Sequence, residues 1–339
     1  MKKLIPHTAE RVVTLSEVEG LRGWFDYAHH DSARIVFITI ALLLCSAIAH
    51  AQQKPLFTQY VFNDYYYNPA VASTKEGADF RALYRHQWAG LEGQPQTATF
   101  SSCGSLKKFP LGIGGNIYYD KTGPLGNFGF NVSGSYGIRI KKESMISAGI
   151  SFGMIRLALE SDVTAKQVND AAISAAQDGK VIPDISLGIY YKWKGLYAGF
   201  SIPQIAQTSM KLEATDTTDM NKLIRHYFIA AGYRFEVADK FQLEPSVLLK
   251  AVKAAPFQGD ITLRGIYDKM VWLGLSYRTG DAVCVFAGVL IKDMFELGYA
   301  YDITTSNLNS VSNGSHEIVL GYSFKRSKSG SGSKGFEVR

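Results

Sequence analysis

The stretch Ile146-Ser-Ala-Gly-Ile-Ser-Phe-Gly-Met154 alternates, residue by residue, between apolar side chains and glycine or serine. Successive side chains of a β-strand point to opposite faces, so this period of two predicts a strand with one apolar face and one small or polar face. The same alternation runs through residues 128–140 and 317–324. In a soluble sandwich the apolar faces would meet in a core, whereas in an outer-membrane barrel they would face lipid and the other faces would line the lumen.

Turn signals divide the chain into about fourteen such strands, an even number that suits a single-chain bacterial barrel. We predict them near residues 78–89, 95–104, 111–120, 126–140, 144–158, 183–193, 196–202, 223–236, 240–252, 258–267, 270–279, 282–291, 294–303 and 315–325.

The connections between these strands alternate in length. Short turns are predicted at Lys141-Lys142-Glu143, Lys194-Gly195, Val237-Ala238-Asp239, Asp268-Lys269 and Lys292-Asp293, and longer connections at 159–182, 203–222 and 304–314. Outer-membrane barrels have short periplasmic turns and longer outer loops. The sequence therefore predicts an all-β, transmembrane antiparallel barrel with a short N-terminal periplasmic segment and with both mature termini in the periplasm. A soluble sandwich gives no reason for such regular alternation.

The composition agrees with a sheet-rich protein that carries aromatic girdles. Of the 339 residues, 19% are charged and 12% are aromatic, and there are 32 Gly but only 10 Pro. Globular proteins average about 25% charged residues. The formal net charge is +6, yet no basic cluster lies on an aromatic platform or a helix, so nucleic acid is not predicted as a partner.

An export signal precedes the strands. Residues 35–48, IVFITIALLLCSAI, end just before Ala49-His50-Ala51, which predicts a secretory signal cleaved near Ala51. The run is shorter than the roughly 20 residues of a spanning helix. A lipid anchor on Cys45 is the weaker alternative, because the bulky Leu44 precedes it. The predicted organisation is a signal region at 1–51, a periplasmic or plug segment at 52–77, a barrel at 78–325 and a basic, flexible tail at 326–339.

The sequence shows no recognisable catalytic or metal-binding pattern, so neither an enzyme nor a cofactor is predicted. After the signal, the histidines are His86, His226 and His316, and no Ser–His spacing identifies a lipase. His316-Glu317 is not followed by the second His of a zinc HExxH motif.

Two smaller features have structural interpretations. Cys103 and Cys284 are too far apart in sequence to argue a disulfide, and we expect both to be small buried residues. The glycines of Gly112-Ile-Gly-Gly115 lack the lysine of a phosphate-binding loop, so we expect them to relieve crowding on the lumen face.

The segment at 52–77 is rich in aromatic and amide side chains and low in charge. It is too irregular for a strand, and Asn68-Pro69 favours a turn. Its aromatic side chains need burial, which leaves two compatible interpretations: an extension packed in the barrel mouth, or a contact surface for a partner. A lumen plugged by this segment would oppose a passive channel.

Three ordered blocks of sequence carry a resemblance to a known family. The first contains Gln59, Tyr60, Phe62, Asn63, Asn68 and Pro69. The second fits the pattern R-x-Q-W-x-G-x-x-G-x-P-x-T and contains Arg85, Gln87, Trp88, Gly90, Gly93 and Pro95. The third contains Asp120, Gly123 and Pro124, and Gly314-Ser-His-Glu317 follows near the end. Together these blocks resemble the PorP/SprF family of type IX secretion system membrane proteins.

The resemblance implies a non-enzymatic outer-membrane component of the type IX secretion or gliding machinery of Bacteroidota. It implies that the barrel anchors or retains a secreted, adhesin-like surface protein through that protein's C-terminal sorting domain. Contacts with outer-membrane lipid and with other type IX outer-membrane or periplasmic components are compatible with it. A passive outer-membrane channel or carrier for small or hydrophobic solutes remains the alternative.

Two residues of the second block receive specific expectations. If Arg85 points into the lumen, it needs a carboxylate or carbonyl partner there, and Asp120 at the end of its strand is the candidate. An ordinary lumen salt bridge would satisfy the same requirement. Trp88, near a strand end, suits an interfacial aromatic girdle.

Overall fold

The computed structural model describes residues 54–106, 109–141, 143–159, 179–208, 223–253 and 256–325. The predicted export signal with its cleavage site, and the predicted tail at 326–339, lie outside the described residues. Within them, no helix is long and apolar enough to cross a membrane.

The described residues form strands that pair antiparallel into one closed sheet. In chain order they are β1 (Gly77–His86), β2 (Gln96–Ser105), β3 (Leu111–Thr122), β4 (Leu125–Lys141), β5 (Ser144–Leu159), β6 (Lys180–Trp193), β7 (Leu196–Ile202), β8 (His226–Tyr233), β9 (Phe235–Ala238), β10 (Phe241–Val252), β11 (Gln258–Tyr267), β12 (Val271–Arg278), β13 (Ala282–Ile291), β14 (Phe295–Thr304) and β15 (Ser315–Lys325).

The sheet closes because β1 pairs with both β2 and β15, and β10 pairs with β11. Strands β8 and β9 both pair with β10 and are separated only at Arg234, whose backbone N–H donates to Gly195 O at 3.1 Å. They are two segments of one wall strand, so the barrel has fourteen strands. The prediction of a fourteen-stranded antiparallel barrel is confirmed.

The apolar and the small or polar residues that alternate in the sequence lie on opposite faces of the barrel wall. On β4 and β5 the outward residues include Val132, Ile146 and Phe152, which are 60%, 43% and 53% exposed. Their neighbours Ser133, Ser147 and Ser151 point inward and are buried. An apolar outer surface around a polar lumen is the arrangement of a barrel in lipid, and a soluble sandwich would have buried these apolar side chains.

The described connections agree with the predicted difference between the two ends, while most of the predicted connections at 159–182 and 203–222 lies outside the described residues. Short turns such as Asp268-Lys269 and Lys292-Asp293 lie at one end, and both residues of each have positive φ, as the tightest hairpins require. We call this end the turn end. The longer connections, including residues 87–95 and 305–314, lie at the opposite end, which we call the loop end. In outer-membrane barrels the turn end faces the periplasm.

Residues 54–76, the N-terminal segment, lie inside the barrel. The segment contains the helix α1 (Asp64–Tyr67) and a 3-10 helix at Pro69–Thr74. Thr58 contacts the loop-end part of β15 at Glu317, Tyr65 contacts the middle of β4, and Ser73 contacts β5 near the turn end. The segment therefore crosses the lumen from the loop end to the turn end, where β1 begins.

This path corrects the expectation that both mature termini lie in the periplasm. Strand β15 does end at the turn end, but Lys54, the first described residue, lies near the loop end, where its carbonyl accepts from Lys250 Nζ at 3.2 Å. The alternation of short and long connections predicts only the end of the barrel at which β1 starts. The residues before β1 turn back into the lumen.

Aromatic side chains of the N-terminal segment form the core of the lumen. Phe57, Tyr60, Phe62, Tyr66 and Tyr67 are buried in one cluster with Phe228, Trp272 and Phe286 of the wall. Burying a large apolar side chain stabilises a fold by roughly 1.5–3 kcal/mol, so the segment is a substantial part of the packed interior.

Candidate functional site

A buried ionic network joins the N-terminal segment to the wall at the loop end. Arg85 of β1 is 1% exposed and donates from Nη2 to Asp302 Oδ2 at 2.6 Å and from Nη1 to Glu317 Oε2 at 3.0 Å. Glu317 lies directly opposite Arg85 in the β1–β15 register, and Asp302 lies one strand further, on β14. The three side chains come from neighbouring strands, so the barrel wall itself sets their positions.

A second arginine completes this network. Arg278 of β12 is 1% exposed and binds Asp260 through Nε and Nη2 at 3.0–3.1 Å, while its Nη1 lies 3.1 Å from Asp302 Oδ2. Two guanidinium groups thus share three buried carboxylates, and Arg278 Nη1 also lies 3.5 Å from the partly exposed Asp281, so negative charges outnumber positive charges in the network. Buried charges are costly unless they are paired and further hydrogen-bonded, so the excess requires additional donors.

The N-terminal segment supplies those donors. The backbone N–H groups of Thr58 and Gln59 each donate to a Glu317 carboxylate oxygen at 2.8 Å. The Thr58 hydroxyl donates to Asp302 Oδ1 at 2.7 Å and accepts from Arg85 at 3.1 Å and Arg278 at 3.2 Å. We call these contacts the latch, because they hold residues 58–59 against strands β1, β12, β14 and β15.

The expected pairing of Arg85 with Asp120 is wrong. In the strand register Arg85 lies opposite Thr97, and Thr97 lies opposite Asp120 on β3, so Asp120 is two strands away on the side opposite to Glu317. Asp120 instead accepts from the Thr97 hydroxyl at 2.6 Å. Arg85 does have carboxylate partners in the lumen, but they come from β14 and β15.

The loop at 87–95 is hydrogen-bonded to residues 313–315 at the loop end. Its Trp88 has φ 54° and donates its backbone N–H to the Ser315 hydroxyl at 3.0 Å. Ala89 exchanges backbone hydrogen bonds with Asn313 and Gly314 at 2.7 Å. Trp88 is half-buried at the strand end, and its assignment to an aromatic girdle stays a prediction.

The same loop also contacts the turn between β3 and β4. Gly93 has φ 71°, and its carbonyl accepts from the N–H of Gly123 at 2.8 Å, directly before Pro124. A Cβ on Gly93 would lie 3.1 Å from Gly123 Cα, so the close approach suits glycine. Gly90 has φ 92°, a conformation in which any other residue would be strained. The backbone N–H of Gln87 donates to Pro95 O at 2.9 Å and closes the loop. The second and third sequence blocks therefore meet at the loop end.

The residues of the first block line the path through the lumen, and each has a partner there. Tyr60 bonds Ser246, Asn63 bonds Ser101, and Phe62 packs on Trp272 with ring centroids 4.8 Å apart. Asn68 donates its side-chain amide to the carbonyls of Ile189 and Phe200. Pro69 begins the 3-10 helix, and Gln59 is fully buried. These residues fix the N-terminal segment along its whole length.

Glycines on the wall make room for this segment. A Cβ on Gly112 would meet the backbone of Ala72 and Ser73, and one on Gly149 would meet the backbone of Ala70 at 2.5 Å. This geometry agrees with the expectation that glycines on the lumen face relieve crowding. What they accommodate is the chain's own N-terminal segment.

A second ionic contact fixes the segment near the turn end. Lys75 Nζ lies 2.8 Å from Asp64 Oδ1 and 3.4 Å from Asp79 Oδ2. Burial alone would lower the pKa of the Lys75 ammonium, but the two carboxylates outweigh it and hold that pKa above its usual value. The segment is thus held to the wall by hydrogen bonds to buried carboxylates at the loop end and by the Lys75–Asp79 ion pair near the turn end.

Several residues of this site were not identified from the sequence. Asp260, Arg278 and Asp302 belong to strands in which every second residue faces the lumen, and each occupies a lumen-facing position. A charged residue in that phase of a barrel strand is a signal for an interior ion pair. The partners could not be matched, because the sequence does not give the order of strands around the closure.

The described residues show no constellation for metal binding: no group of three or more His, Cys, Asp or Glu among them could hold a metal ion. Cys103 and Cys284 are buried and unbonded to each other, as expected.

Comparisons with known proteins give one family and a general fold likeness. The family model described as type IX secretion system membrane protein PorP/SprF matches residues 49–322. None of the curated proteins matches the chain. Solved structures with similar folds include the outer membrane protein Omp33 of Acinetobacter baumannii, 8% identical over 74% of this chain and 99% of that chain with a TM-score of 0.44. The toluene transporter TbuX of Ralstonia pickettii is 8% identical over 75% and 91%, with a TM-score of 0.43. At these values the likeness carries no conclusion about what the chain binds.

Proposed function

The chain belongs to the PorP/SprF family of type IX secretion system membrane proteins and is an outer-membrane β-barrel, and from that premise we propose that it anchors a secreted surface protein. In this proposal the barrel is a non-enzymatic component that retains an adhesin-like partner by binding its C-terminal sorting domain. The family's place in type IX secretion supports the choice of partner class.

The filled lumen is the observation that carries the proposal. A passive channel needs an open path for its solute, whereas here Phe57, Thr58 and Gln59 lie buried across the loop-end part of the lumen, at 0–1% exposure. The latch fixes these residues through charges that are costly to separate. A barrel whose interior is built to hold its own chain is better suited to be a rigid scaffold than a conduit.

The loop at 87–95 is the surface we assign to the partner. Its backbone is fixed by hydrogen bonds to Gly314, Asn313 and Gly123, so it is preorganised rather than mobile. Gly90, Glu92 and Gly93 are exposed on it. A preorganised surface loses little conformational entropy on binding, which favours affinity.

The proposal is tested by pull-down of the tagged protein from native outer membranes in mild detergent, with mass spectrometry. We expect a large secreted protein to be recovered through its C-terminal domain. Glu92→Arg, at the loop end, is expected to reduce this recovery. The matched change Glu236→Arg, at an exposed position of the turn end, is expected to leave it unchanged.

Recovery of the barrel alone, together with stable conductance in planar bilayers, would contradict the anchoring proposal and favour the passive channel. Equal recovery with Glu92→Arg and the unmodified barrel would leave anchoring in place but remove the loop at 87–95 from the contact surface.

A further inference from the structure

A groove of about 410 Å³ lies on the outer surface of the barrel, where β13, β14, β15, β1 and β2 follow one another around the wall. The outward side chains that line it are Phe, Tyr, Leu, Ile and Ala, and none of them is charged. Pockets for small molecules measure roughly 300–1,000 Å³, so the groove has the size of a binding site.

The groove is present because Ala82 is small. In the strand register Ala82 lies directly opposite Leu320 of β15 on one side and Phe100 of β2 on the other. Residues opposite each other in antiparallel strands share a face of the sheet, so all three point outward. Leu320 and Phe100 are 54% and 48% exposed. The wall is therefore indented at one methyl group between two larger side chains.

Aromatic rings border the groove towards the turn end. Phe80, two residues before Ala82, stacks on Tyr322 with ring centroids 6.1 Å apart, and the Tyr322 ring lies 5.0 Å from that of Phe295. These residues form one row across β1, β15 and β14. Rings that pack against one another restrict each other's rotamers, so a ligand loses little free energy in ordering this border.

The position of the groove determines which leaflet of the membrane it faces. Its lining lies in the turn-end half of β1, β13, β14 and β15, and on β1 it reaches no further towards the loop end than Ala82. The turn end of an outer-membrane barrel faces the periplasm. The periplasmic leaflet of an outer membrane consists of phospholipid, whereas the outer leaflet carries lipopolysaccharide. The groove therefore faces phospholipid acyl chains.

A basic residue lies at the turn-end mouth of the groove. Ile291 lines the groove, and Lys292 follows it directly in the turn between β13 and β14. Lys292 is exposed there. Because a lysine ammonium near a membrane surface attracts lipid phosphate, the groove combines an apolar channel with a cation at the level of the headgroups.

We propose that this groove holds one acyl chain of a periplasmic-leaflet phospholipid, whose phosphate pairs with Lys292. Lipid tails are as apolar as leucine, so the hydrophobic effect does not distinguish the bound chain from its neighbours in the bilayer. Contact distinguishes it, because a chain between Phe100 and Leu320 touches protein at the floor and on both flanks, whereas a smooth wall offers only one surface. The site does not depend on the anchoring function.

The test is native mass spectrometry of the barrel, purified from outer membranes, delipidated in detergent and titrated with palmitoyl-oleoyl phosphatidylethanolamine. We expect a single tightly bound lipid on the unmodified barrel. Ala82→Phe fills the groove and is expected to raise the dissociation constant roughly tenfold or more. Ala148→Phe makes the same change at another exposed position of the wall and is expected to alter it by less than about twofold. Both variants should keep the urea midpoint of the unmodified barrel, because both rings face lipid.

A second pair of variants tests the contact with the phosphate. Lys292→Asn removes the ammonium and introduces a residue that tolerates the positive φ of 53° at this position. It is expected to weaken binding roughly two- to tenfold, the equivalent of one hydrogen bond. Lys269→Asn makes the same change at φ 57° in the turn between β11 and β12 and is expected to have no effect.

The proposal is overturned if the unmodified barrel binds no phospholipid, or binds it no more tightly than Ala82→Phe does. It is also overturned if the spectra show pairs of barrels that Ala82→Phe separates, because a second copy of the chain then covers the groove. Lipopolysaccharide bound at the groove in place of phospholipid would contradict its assignment to the periplasmic leaflet. Equal weakening by the two lysine changes would contradict the pairing of the phosphate with Lys292.

Discussion

Replacing Arg85 with alanine removes a guanidinium that contacts Asp302 at 2.6 Å, Glu317 at 3.0 Å and the Thr58 hydroxyl at 3.1 Å. The change leaves three buried carboxylates with Arg278 as their only guanidinium, so the excess of negative charge around the latch rises by one. Breaking a buried ion pair by removing one partner costs about 3–5 kcal/mol, and we expect a loss of that size in the free energy of unfolding.

The matched control is Arg234→Ala. Arg234 also lies 2.7 Å from a carboxylate, that of Glu244, but its side chain is 47% exposed and Glu244 keeps Arg264 as a second partner. Exposed pairs contribute about 0–1 kcal/mol, so this variant is expected to unfold almost like the unmodified barrel. The two variants share the side chain removed and differ in the burial of the pair.

Both variants are measured by urea unfolding in detergent micelles, with tryptophan fluorescence as the signal and linear extrapolation to zero urea. A loss of less than about 1 kcal/mol in the free energy of unfolding of Arg85→Ala, or a loss no larger than that of Arg234→Ala, would contradict this expectation. Either result would mean that the latch is solvated in the protein and does not fix the N-terminal segment.

Three further predictions concern the N-terminal segment. Gly112→Ala should displace the segment and lower the free energy of unfolding in urea by about 1–3 kcal/mol, because the added Cβ meets the backbone of Ala72 and Ser73. Gly134→Ala should be neutral, because its Cβ meets nothing within 4 Å, and equal effects of the two changes would contradict the packing. An epitope inserted directly before Lys54 should bind antibody on intact cells, while one inserted after Lys325 should not, and the reverse pattern would place the segment's start in the periplasm. Deleting residues 54–76 should raise conductance in planar bilayers, and unchanged conductance would mean that the segment does not block the lumen.

The barrel could be predicted because its signals are local. The alternation in residues 146–154 needs only neighbouring residues to be read, and turns such as Lys292-Asp293 mark where each hairpin closes. The break at Arg234 could not be read in this way. The register against β10 is the same on both sides of Arg234, and the break appears only in the pairing of Arg234 with Gly195 on the neighbouring turn, which depends on two strands at once.

The site was only partly predictable, for a related reason. The aromatic residues at 57–67 indicate a need for burial, and Arg85 indicates a need for a carboxylate, so both requirements follow from the sequence. Their solutions depend on the closure of β1 against β15, which brings Arg85 to Glu317 across 232 positions of chain. The direction in which the N-terminal segment crosses the lumen follows from the same closure, because Glu317 fixes the backbone of Thr58.

The most direct test of the filled lumen is a disulfide between the N-terminal segment and the wall. The Thr58 hydroxyl lies 3.9 Å from Cys284 Sγ, so Thr58→Cys in a Cys103→Ser background places two thiols within reach of a bond. In mildly oxidised, intact outer membranes we expect this pair to form an intramolecular disulfide, seen as protection of both thiols from labelling after denaturation. Ser73→Cys, near the turn end, should stay reduced in the same background. If both thiols of the Thr58→Cys variant remain free and label fully, the N-terminal segment does not occupy the lumen at the loop end.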